Sequence, residues 1–464
     1  MKLTLFILVF IISLNSIRAQ LYVDDNGTIT SIKVQEITTQ EILFSQGENL
    51  RLMPASLTKV VTTATALELL GAGYTYQTDF FYRGEKKGTK LYGDLIVTSY
   101  GDPTLGSRYF EETAPEMIFS AVADGLKKAG IQSIVGSLHV IADQIGYSAP
   151  RLWEDMGNYY GASPQGFNWR DNTAEVTLSS GAVGTKCRVV SIDPDIKPYS
   201  IRCEAVAAAH NNDSAYVYGI GKMQQWWIEG SIPKNRSLFK IKAALPDPRA
   251  AFKKDLIEYL NKNGIEIGEK RPVGASKEKK NIPICTYHSP PLSEIIKVVN
   301  QKSNNLFADQ LLLTIAKELK GQPTWDYGNL AVREFWEDKI DFNHSFRLRD
   351  GSGLTPKNLV SAKGMVQLLN WMNQNSGNFS FYAESLARGG ESGTLRSVFK
   401  HPDLEGRIIG KSGSFEGVLG YCGYATTVSG KKTAFCIIAN NYLVPTKKIR
   451  ITMDEFMTKV VLEN

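Results

Sequence analysis

The sequence predicts an α/β protein in which one α/β domain is split by a long insertion that contains a small β-rich domain. The chain has 464 residues, more than one ordinary globular core needs, so two or three domains are expected. Strand-like and helix-like patterns alternate near both ends of the chain. Between them, residues 171–236 hold short β-type runs separated by Gly, Pro, Asn and Asp turns, which is typical of a small β-domain.

The first part of the split domain is expected at residues 20–76. Polar and apolar residues alternate there up to residue 50, which predicts one or two β-hairpins. A helix is predicted after Pro54, because apolar residues recur at helical spacing from there to Gly71.

The insertion is expected to cover roughly residues 77–285. Segments 77–170 and 237–285 predict an α/β unit, with helices near 117–129 and 249–263, and they flank the β-rich domain at 171–236.

The second part of the split domain is expected at residues 286–464. Helical patterning dominates from 291 to 337. Two strands at 417–428 and 433–440 follow, and a final helix at about 446–462 ends the chain.

Composition excludes several classes of function. The net charge of +6 is scattered in short Lys pairs, so nucleic-acid binding is not expected. Five Cys and five His residues are dispersed without metal-ligand spacing, so no metal site is predicted. In an oxidising compartment Cys187 could pair with Cys203, and Cys422 with Cys436, but buried inert thiols explain these residues equally well.

Residues 1–19 predict a secretory signal peptide. Lys2 precedes an apolar run that ends near Leu14, and Ala19 is a small residue at the expected cut. The apolar run is short for a membrane-spanning helix, although an uncleaved anchor is the alternative. The chain is therefore expected outside the cytoplasm.

The first of three candidate motifs is Ser56-Leu57-Thr58-Lys59, at the start of the predicted helix. Three residues are almost one helical turn, so the hydroxyl and the amine share a face. A neutral amine beside a hydroxyl can remove its proton, and burial with a second cation nearby favours that neutral form. The same Ser-x-x-Lys spacing occurs at five other serines, and an ordinary helix cap is the alternative here.

The second motif is Ser303-Asn304-Asn305, in a polar break between two predicted helices. The Ser hydroxyl can relay a proton to a leaving amine, and the Asn amide can both donate to and accept from a substrate backbone. Taken alone, Ser-x-Asn is more often a turn or a cap.

The third motif is Lys411-Ser412-Gly413, on a predicted strand that continues into Ser414. Lys and Ser on an edge strand can bind a substrate carboxylate, and the glycine lets a bound backbone come close. A turn is again the alternative, but the order of the three motifs is more specific than any one of them.

The set of Ser-x-x-Lys, Ser-x-Asn and Lys-Ser/Thr-Gly resembles that of penicillin-binding proteins and serine β-lactamases. With its long insertion between the first two motifs, the chain resembles the class C low-molecular-mass penicillin-binding proteins, the D-Ala-D-Ala carboxypeptidase/endopeptidases. Further similar stretches begin at Gly101, Asp350 and Gly393. Ser412 departs from the Thr of many relatives but retains the hydroxyl. The resemblance implies a penicillin-binding transpeptidase-like domain formed by 20–76 and 286–464.

The resemblance also implies a role for each motif residue. Ser56 would be the nucleophile and Lys59 its general base. Ser303 and Asn305 would assist proton transfer and hold the substrate. Lys411 and Ser412 would bind the terminal carboxylate, next to Gly413, and the backbone N–H groups of Ser56 and Ser414 would form the oxyanion hole.

One further residue, Asp143 in the insertion, would face the amino end of the substrate peptide, with a surface carboxylate as the alternative. The expected substrates are the stem peptides of peptidoglycan, the expected inhibitors are β-lactam antibiotics, and the expected location is the periplasm. Acyl transfer by Ser and Lys requires no cofactor.

Two alternatives stay open at this point. A serine β-lactamase shares the motifs but must hydrolyse its acyl-enzyme quickly, and class A enzymes use a Glu for that step, for which the sequence has no convincing counterpart. A non-catalytic protein that binds the cell wall would keep the fold without needing an intact site. The balance of carboxypeptidase and endopeptidase activity is also left open, because the two reactions share one acylation chemistry.

Overall fold

A computed structural model describes residues 27–145, 150–221, 223–268 and 280–464. The predicted signal peptide at 1–19 lies outside the described residues. Within those ranges, no helix combines the length and the apolar character that a membrane crossing requires.

The first part of the split domain has the predicted hairpin and helix. Its elements are β1 (Ile29–Glu36), β2 (Ile42–Gln46), β3 (Arg51–Leu52) and α1 (Thr58–Leu70). A 3-10 turn at Ala55–Leu57 leads directly into α1, and Gly71 ends the helix in a positive-φ conformation. Residues 58–67 of α1 are all buried, so this helix forms the centre of the domain.

The insertion begins with an α/β unit. Its elements are β4 (Gln77–Lys87), β5 (Lys90–Ser99), α2 (Pro115–Lys128), β6 (Ser133–Val135) and β7 (Leu138–Ala142). The β-rich region follows, with β8 (Thr173–Ser179), β9 (Arg188–Asp193), β10 (Ser200–Cys203), β11 (Val206–Ala208), β12 (Ser214–Tyr218) and β13 (Gln225–Pro233). The insertion ends with β14 (Phe239–Ala244), α3 (Pro248–Lys262), β15 (Glu266–Gly268) and β16 (Ile282–His288).

Two separate cores hold the insertion together. The first lies between α2, α3 and a sheet of order β15-β6-β5-β4-β16, with β7 beside β5. The second joins a sheet of order β14-β8-β9 to the four-stranded sheet centred on β13. Strand β14 thus pairs with β8 of the β-rich region, although it lies in the segment 237–285 that was grouped with the α/β unit. The domain boundaries stay a prediction.

The second part of the split domain begins with helices. The elements up to the central sheet are α4 (Leu292–Gln301), α5 (Asn305–Lys320), α6 (Trp325–Trp336), α7 (Phe342–Ser345), β17 (Phe346–Arg347), β18 (Leu359–Ser361), α8 (Ala362–Asn375) and α9 (Phe379–Ser385). The chain ends with β19 (Ala387–Arg388), β20 (Ile408–Phe415), β21 (Val418–Thr426), β22 (Lys432–Asn440) and α10 (Thr446–Glu463).

The two parts of the split domain meet in one six-stranded sheet of order β19-β20-β21-β22-β1-β2. Strand β1 from the beginning of the chain pairs antiparallel with β22 from its end. One face of the sheet packs against a core that includes α1, α4, α5 and α8, and the other face packs against α10. Because helices cover both faces, β21 and β22 are buried almost along their whole length. The fold class that the sequence predicted is confirmed.

Candidate active site

The 3-10 turn that carries Ser56 lies against two glycines from distant parts of the chain. A Cβ atom at Gly413 on β20 would lie 2.4 Å from the Pro54 carbonyl oxygen and 3.0 Å from the Ser56 nitrogen. A Cβ atom at Gly353 would lie 1.8 Å from the carbonyl oxygen of Ala55. Ala55 itself has φ +47°, a conformation that non-glycine residues rarely adopt. The turn that carries Ser56 is thus held in an unusual conformation by two neighbouring backbone segments, which can come this close only because they have glycine at the contact.

Lys59 lies one helical turn after Ser56, and its side chain is completely buried. Its Nζ atom is 3.0 Å from Ser56 Oγ, and it donates to Asn305 Oδ1 at 2.6 Å and to the Ser352 carbonyl at 2.5 Å. The predicted shared face is therefore present, and the amine touches the hydroxyl that it would deprotonate.

Burial lowers the pKa of Lys59 from the usual lysine value to about 7. The carboxylates of Asp309 and Asp350 act in the opposite direction, and the positive charge of Arg151 adds to the lowering. An amine with this pKa is half neutral near pH 7, which is the state that a general base needs.

The second motif lies where α4 gives way to α5, as expected. Ser303 has φ +56°, and Asn305 is the first residue of α5. The Asn305 side chain bridges two parts of the molecule, since its oxygen accepts from Lys59 and its Nδ2 donates to the Tyr160 carbonyl at 2.8 Å. Tyr160 belongs to the insertion, so the insertion contacts the second motif directly.

The third motif lies on β20, which pairs with β21, and it faces the other two motifs. Lys411 Nζ donates to Ser303 Oγ at 3.0 Å and to the Ser412 carbonyl at 2.6 Å. Burial lowers the pKa of Lys411 well below the usual value, and the charge of Lys59 lowers it further. Ser412 is half-buried and Ser414 is exposed, so β20 presents its hydroxyls toward solvent beside the nucleophile turn. The structure therefore brings all three motifs together.

A buried ion pair that sequence reasoning missed lies close to Lys59. Arg151 of the insertion contacts Asp309 of α5, and neither side chain is exposed at all. The Arg151 guanidinium also donates to the Ala162 carbonyl at 2.8 Å. Burial raises the pKa of Asp309 to about 6, while the Arg151 charge acts against that rise.

The ion pair connects to Lys59 through a tight loop. Asp309 Oδ1 accepts from the backbone N–H groups of Gly351 and Ser352 at 2.9 and 2.8 Å. Asp350 closes the loop by accepting from the Gly353 N–H at 2.7 Å. This arrangement fixes the Ser352 carbonyl that accepts a hydrogen bond from Lys59. The stretch from Asp350 was noted as similar to relatives, but its structural role was not.

Asp143 lies away from the three motifs. Its carboxylate forms a 3.1 Å ion pair with Lys317 on α5, twelve residues after Asn305. At the rise of an α-helix that separation is about 18 Å along the axis. Asp155, in a 3-10 turn of the insertion, is linked to the second motif through Tyr160, whose carbonyl accepts from Asn305. Its carboxyl hydrogen-bonds to the Tyr160 side chain, and burial raises its pKa.

The five cysteines all lie within the described residues. All five cysteines are free thiols, and Cys422 and Cys436 are directly opposite each other on β21 and β22. Burial raises the pKa of Cys422 to about 12. In the described part of the chain, no group of three His, Cys, Asp or Glu side chains could hold a metal ion.

Comparisons with known proteins agree with this architecture. Residues 14–460 match the model of the D-Ala-D-Ala carboxypeptidase 3 (S13) family. The chain is 27% identical over 441 residues to a D-alanyl-D-alanine carboxypeptidase of Actinomadura sp. strain R39, covering 90% of this chain and 79% of that protein.

Solved structures share the fold. The crystal structure of penicillin-binding protein 4 from Haemophilus influenzae superposes with a TM-score of 0.80 at 23% identity, over 94% of this chain and 97% of that one. The same protein complexed with a novel β-lactam has a TM-score of 0.75 at 23% identity, with the same coverage of both chains.

Proposed function

Because the chain belongs to the D-Ala-D-Ala carboxypeptidase 3 (S13) family of serine-type peptidases, we propose that it cleaves D-alanyl-D-alanine bonds of peptidoglycan stem peptides through an acyl-enzyme on Ser56. The observation that carries the proposal is the 3.0 Å contact between Lys59 Nζ and Ser56 Oγ in a site where burial holds the pKa of the lysine near 7. A lysine that served only as a helix-surface cation would be exposed and charged.

In the proposed acylation step, neutral Lys59 takes the Ser56 hydroxyl proton, and Oγ attacks the carbonyl carbon of the penultimate D-Ala. The negative charge that develops on the carbonyl oxygen would be bound by the backbone N–H groups of Ser56 and Ser414. Gly413 supports this assignment, because its missing side chain lets β20 lie against the Ser56 nitrogen.

The C–N bond then breaks, and the leaving amine must gain a proton. Ser303 is suited to pass one on, because its Oγ accepts from Lys411 and its own hydroxyl hydrogen stays free to donate. The proton that Lys59 took from Ser56 is in this way consumed by the amine, and Lys59 is neutral again. Water later attacks the ester carbonyl and gives one of its protons to Lys59, which passes it to Ser56 Oγ as the shortened peptide is released.

Substrate binding is assigned to β20 and to α5. Lys411 and the Ser412 hydroxyl would bind the terminal carboxylate, whose negative charge favours the protonated form of the buried lysine. Asn305, held by Lys59 and Tyr160, would contact the peptide backbone. Two acids are candidates for the amino end of the peptide, Asp143, which is paired with Lys317, and Asp155, which lies beside Tyr160.

We also propose β-lactam antibiotics as inhibitors, because they react with the same type of serine nucleophile. The proposed location is the periplasm, supported by the signal peptide pattern in residues 1–19. N-terminal sequencing of the protein recovered from a periplasmic extract would test this location, and an intact Met1 in a membrane fraction would contradict it.

The experiment that tests the catalytic proposal is intact mass against time after addition of benzylpenicillin to the wild type and to Ser56→Ala. A long-lived adduct on the wild type alone supports the acyl-enzyme, and digestion of purified muropeptides would then separate terminal trimming from cross-link cleavage. An adduct lost within seconds with drug turnover would favour a β-lactamase. Absence of any adduct would favour a protein that only binds the cell wall.

A further inference from the structure

Three aromatic rings form a partly exposed cluster on the insertion that the catalytic scheme does not use. The ring centroid of Trp153 lies 5.6 Å from that of Tyr218 and 5.5 Å from that of Trp227. The rings of Tyr218 and Trp227 are themselves stacked at 6.0 Å with an interplanar angle of 19°. We call these three residues the aromatic platform.

Two neighbouring strands of the β-rich region present most of the platform. Tyr218 on β12 is directly opposite Trp227 on β13, and Tyr216 is opposite Glu229. Because residues two apart on a strand share a face, these four side chains lie on one face of the sheet. Trp153 comes from a separate 3-10 turn, Trp153–Asp155, and lies over them.

The platform is open to solvent on one side. The side chain of Trp153 is 47% exposed, and that of the neighbouring Tyr216 is 49% exposed. Aromatic side chains are usually covered when a protein has no use for them, and clustered exposed rings mark binding surfaces. Tyr218 and Trp227 are half-buried, so the open side of the platform consists mainly of Trp153, with Tyr216 beside it.

The platform is connected rigidly to the catalytic site. Trp153 is two residues after Arg151, so their Cα atoms are within about 7 Å of each other. Arg151 is fixed in the buried pair with Asp309, and the Tyr160 carbonyl further along the same segment accepts from Asn305. A ligand on the platform would therefore lie close to a peptide bound at Ser56.

We propose that the aromatic platform binds the glycan strand of peptidoglycan and so positions its stem peptides at Ser56. The proposal rests on the proposed function, since the glycan matters only if stem peptides are the substrate. A pyranose ring has faces lined by weakly positive C–H groups, which complement the negative faces of aromatic rings. Its hydroxyl and N-acetyl groups project from the edges, where they need polar partners.

Polar groups lie beside the rings of the platform. Glu229 accepts from the indole N–H of Trp227 at 3.0 Å, which fixes the orientation of that ring. The Tyr218 hydroxyl lies near Glu229, Tyr216 and Glu154, and its pKa is raised by burial and by these neighbours. Carboxylates and phenols at the rim can accept from and donate to sugar hydroxyls.

The charge of the rim favours a glycan over an anionic membrane. Glu154, Asp155 and Glu229 are all acidic, and an anionic lipid surface would repel them. A glycan strand whose lactyl carboxylates are joined to peptides as amides is neutral, so it meets no such repulsion.

The test uses the full mature chain with Ser56→Ala and, as the probe, soluble oligomers of N-acetylglucosamine, which have the N-acetylated pyranose rings of the glycan and no lactyl carboxylate. Binding is followed by tryptophan fluorescence and by calorimetry. We expect Trp153→Ala to weaken binding about ten-fold, the effect of losing one good aromatic contact. Tyr327→Ala, which removes an exposed ring from α6, is the matched control and should leave the affinity unchanged.

A second measurement separates this proposal from the catalytic one and from misfolding. In the background with Ser56 intact, Trp153→Ala and Tyr218→Ala should raise KM on whole sacculi and leave benzylpenicillin acylation as in the wild type. Three results would each overturn the platform proposal. They are an unchanged KM on sacculi, an equal loss of activity on sacculi and on benzylpenicillin, and binding of anionic lipid vesicles in place of glycan. Failure of acylation in the wild type would instead overturn the proposed function.

Discussion

Arg151 and Asp309 form an ion pair in which both side chains are completely buried, and the pair joins the insertion to the catalytic site. The other carboxylate oxygen of Asp309 holds the loop whose Ser352 carbonyl accepts from Lys59. A buried pair of this kind contributes little net stability compared with well-packed apolar residues. The pair lies one loop away from Lys59, the proposed base, and we therefore expect it to position that side chain.

The first prediction concerns the two members of this pair. Arg151→Met removes a positive charge that lowers the pKa of Lys59, so the midpoint of the acylation rate against pH should move upward. Asp309→Asn removes a negative charge that raises the same pKa, so the midpoint should move downward. Each single variant should also lose about 3–5 kcal/mol of folding free energy, because it leaves a buried charge without its partner. Benzylpenicillin acylation at a series of pH values and urea unfolding would measure the two effects.

The matched control is Arg170→Met, which breaks the 3.1 Å ion pair with Asp255 inside the insertion. That variant should leave the acylation midpoint in place. Equal midpoints for Arg151→Met and Asp309→Asn would show that the pair stabilises the fold without positioning Lys59.

A second prediction follows from the lowered pKa of Lys59 in the wild type. The base must be neutral to accept the Ser56 proton, so the acylation rate should rise with pH through a midpoint near 7 and level off above it. Below the midpoint the rate should fall ten-fold per pH unit. Stopped-flow acylation with a chromogenic cephalosporin would record the profile. A midpoint near the ordinary lysine value of about 10.4 would mean that Lys59 is not the base in this protein.

The third prediction concerns Gly413, where β20 lies against the nucleophile turn. In Gly413→Ala the new methyl group would come within 2.4 Å of the Pro54 carbonyl and 3.0 Å of the Ser56 nitrogen, so the turn must move. A displacement of about 1 Å at a reacting group can cost roughly 100-fold in rate, and we expect an acylation loss of that size. The stability loss from overpacking should stay at about 1–3 kcal/mol.

Gly377→Ala provides the control for that experiment, because a Cβ atom there would have no neighbour within 4 Å. It should acylate at the wild-type rate. Wild-type acylation by Gly413→Ala would indicate that the close approach of β20 is not needed to hold Ser56.

The three motifs could be identified from the sequence because each is local and their order is informative. Ser56 and Lys59 face each other through helix geometry alone, and the break before Asn305 is visible as a polar interval between apolar helices. The Arg151–Asp309 pair could not be predicted in that way, since its members are far apart in the chain. One signal was present, because Asp309 lies in the largely apolar stretch 306–316 of α5, and a buried acid needs a partner.

The pairing of β14 with β8 was also not predictable from local pattern. The alternation of apolar and polar residues in a strand predicts which of its faces is buried, but it does not predict which strand lies beside it. Tertiary packing selects that partner. The assignment of Asp143 depended on a loose likeness to relatives and not on any spacing within the chain, and it stays a prediction.

The last prediction compares Asp143 with Asp155 as the partner of the amino end of the stem peptide. Asp143 is paired with Lys317 at a half-exposed position, where an ion pair is worth at most about 1 kcal/mol, so Asp143→Asn should change KM less than two-fold. Asp155 lies beside Tyr160, whose carbonyl binds Asn305, so Asp155→Asn should raise KM about ten-fold for a peptide with a free amine. The same peptide with its amine acetylated should show no difference between Asp155→Asn and the wild type. A larger KM increase in Asp143→Asn than in Asp155→Asn would support the assignment made from the sequence.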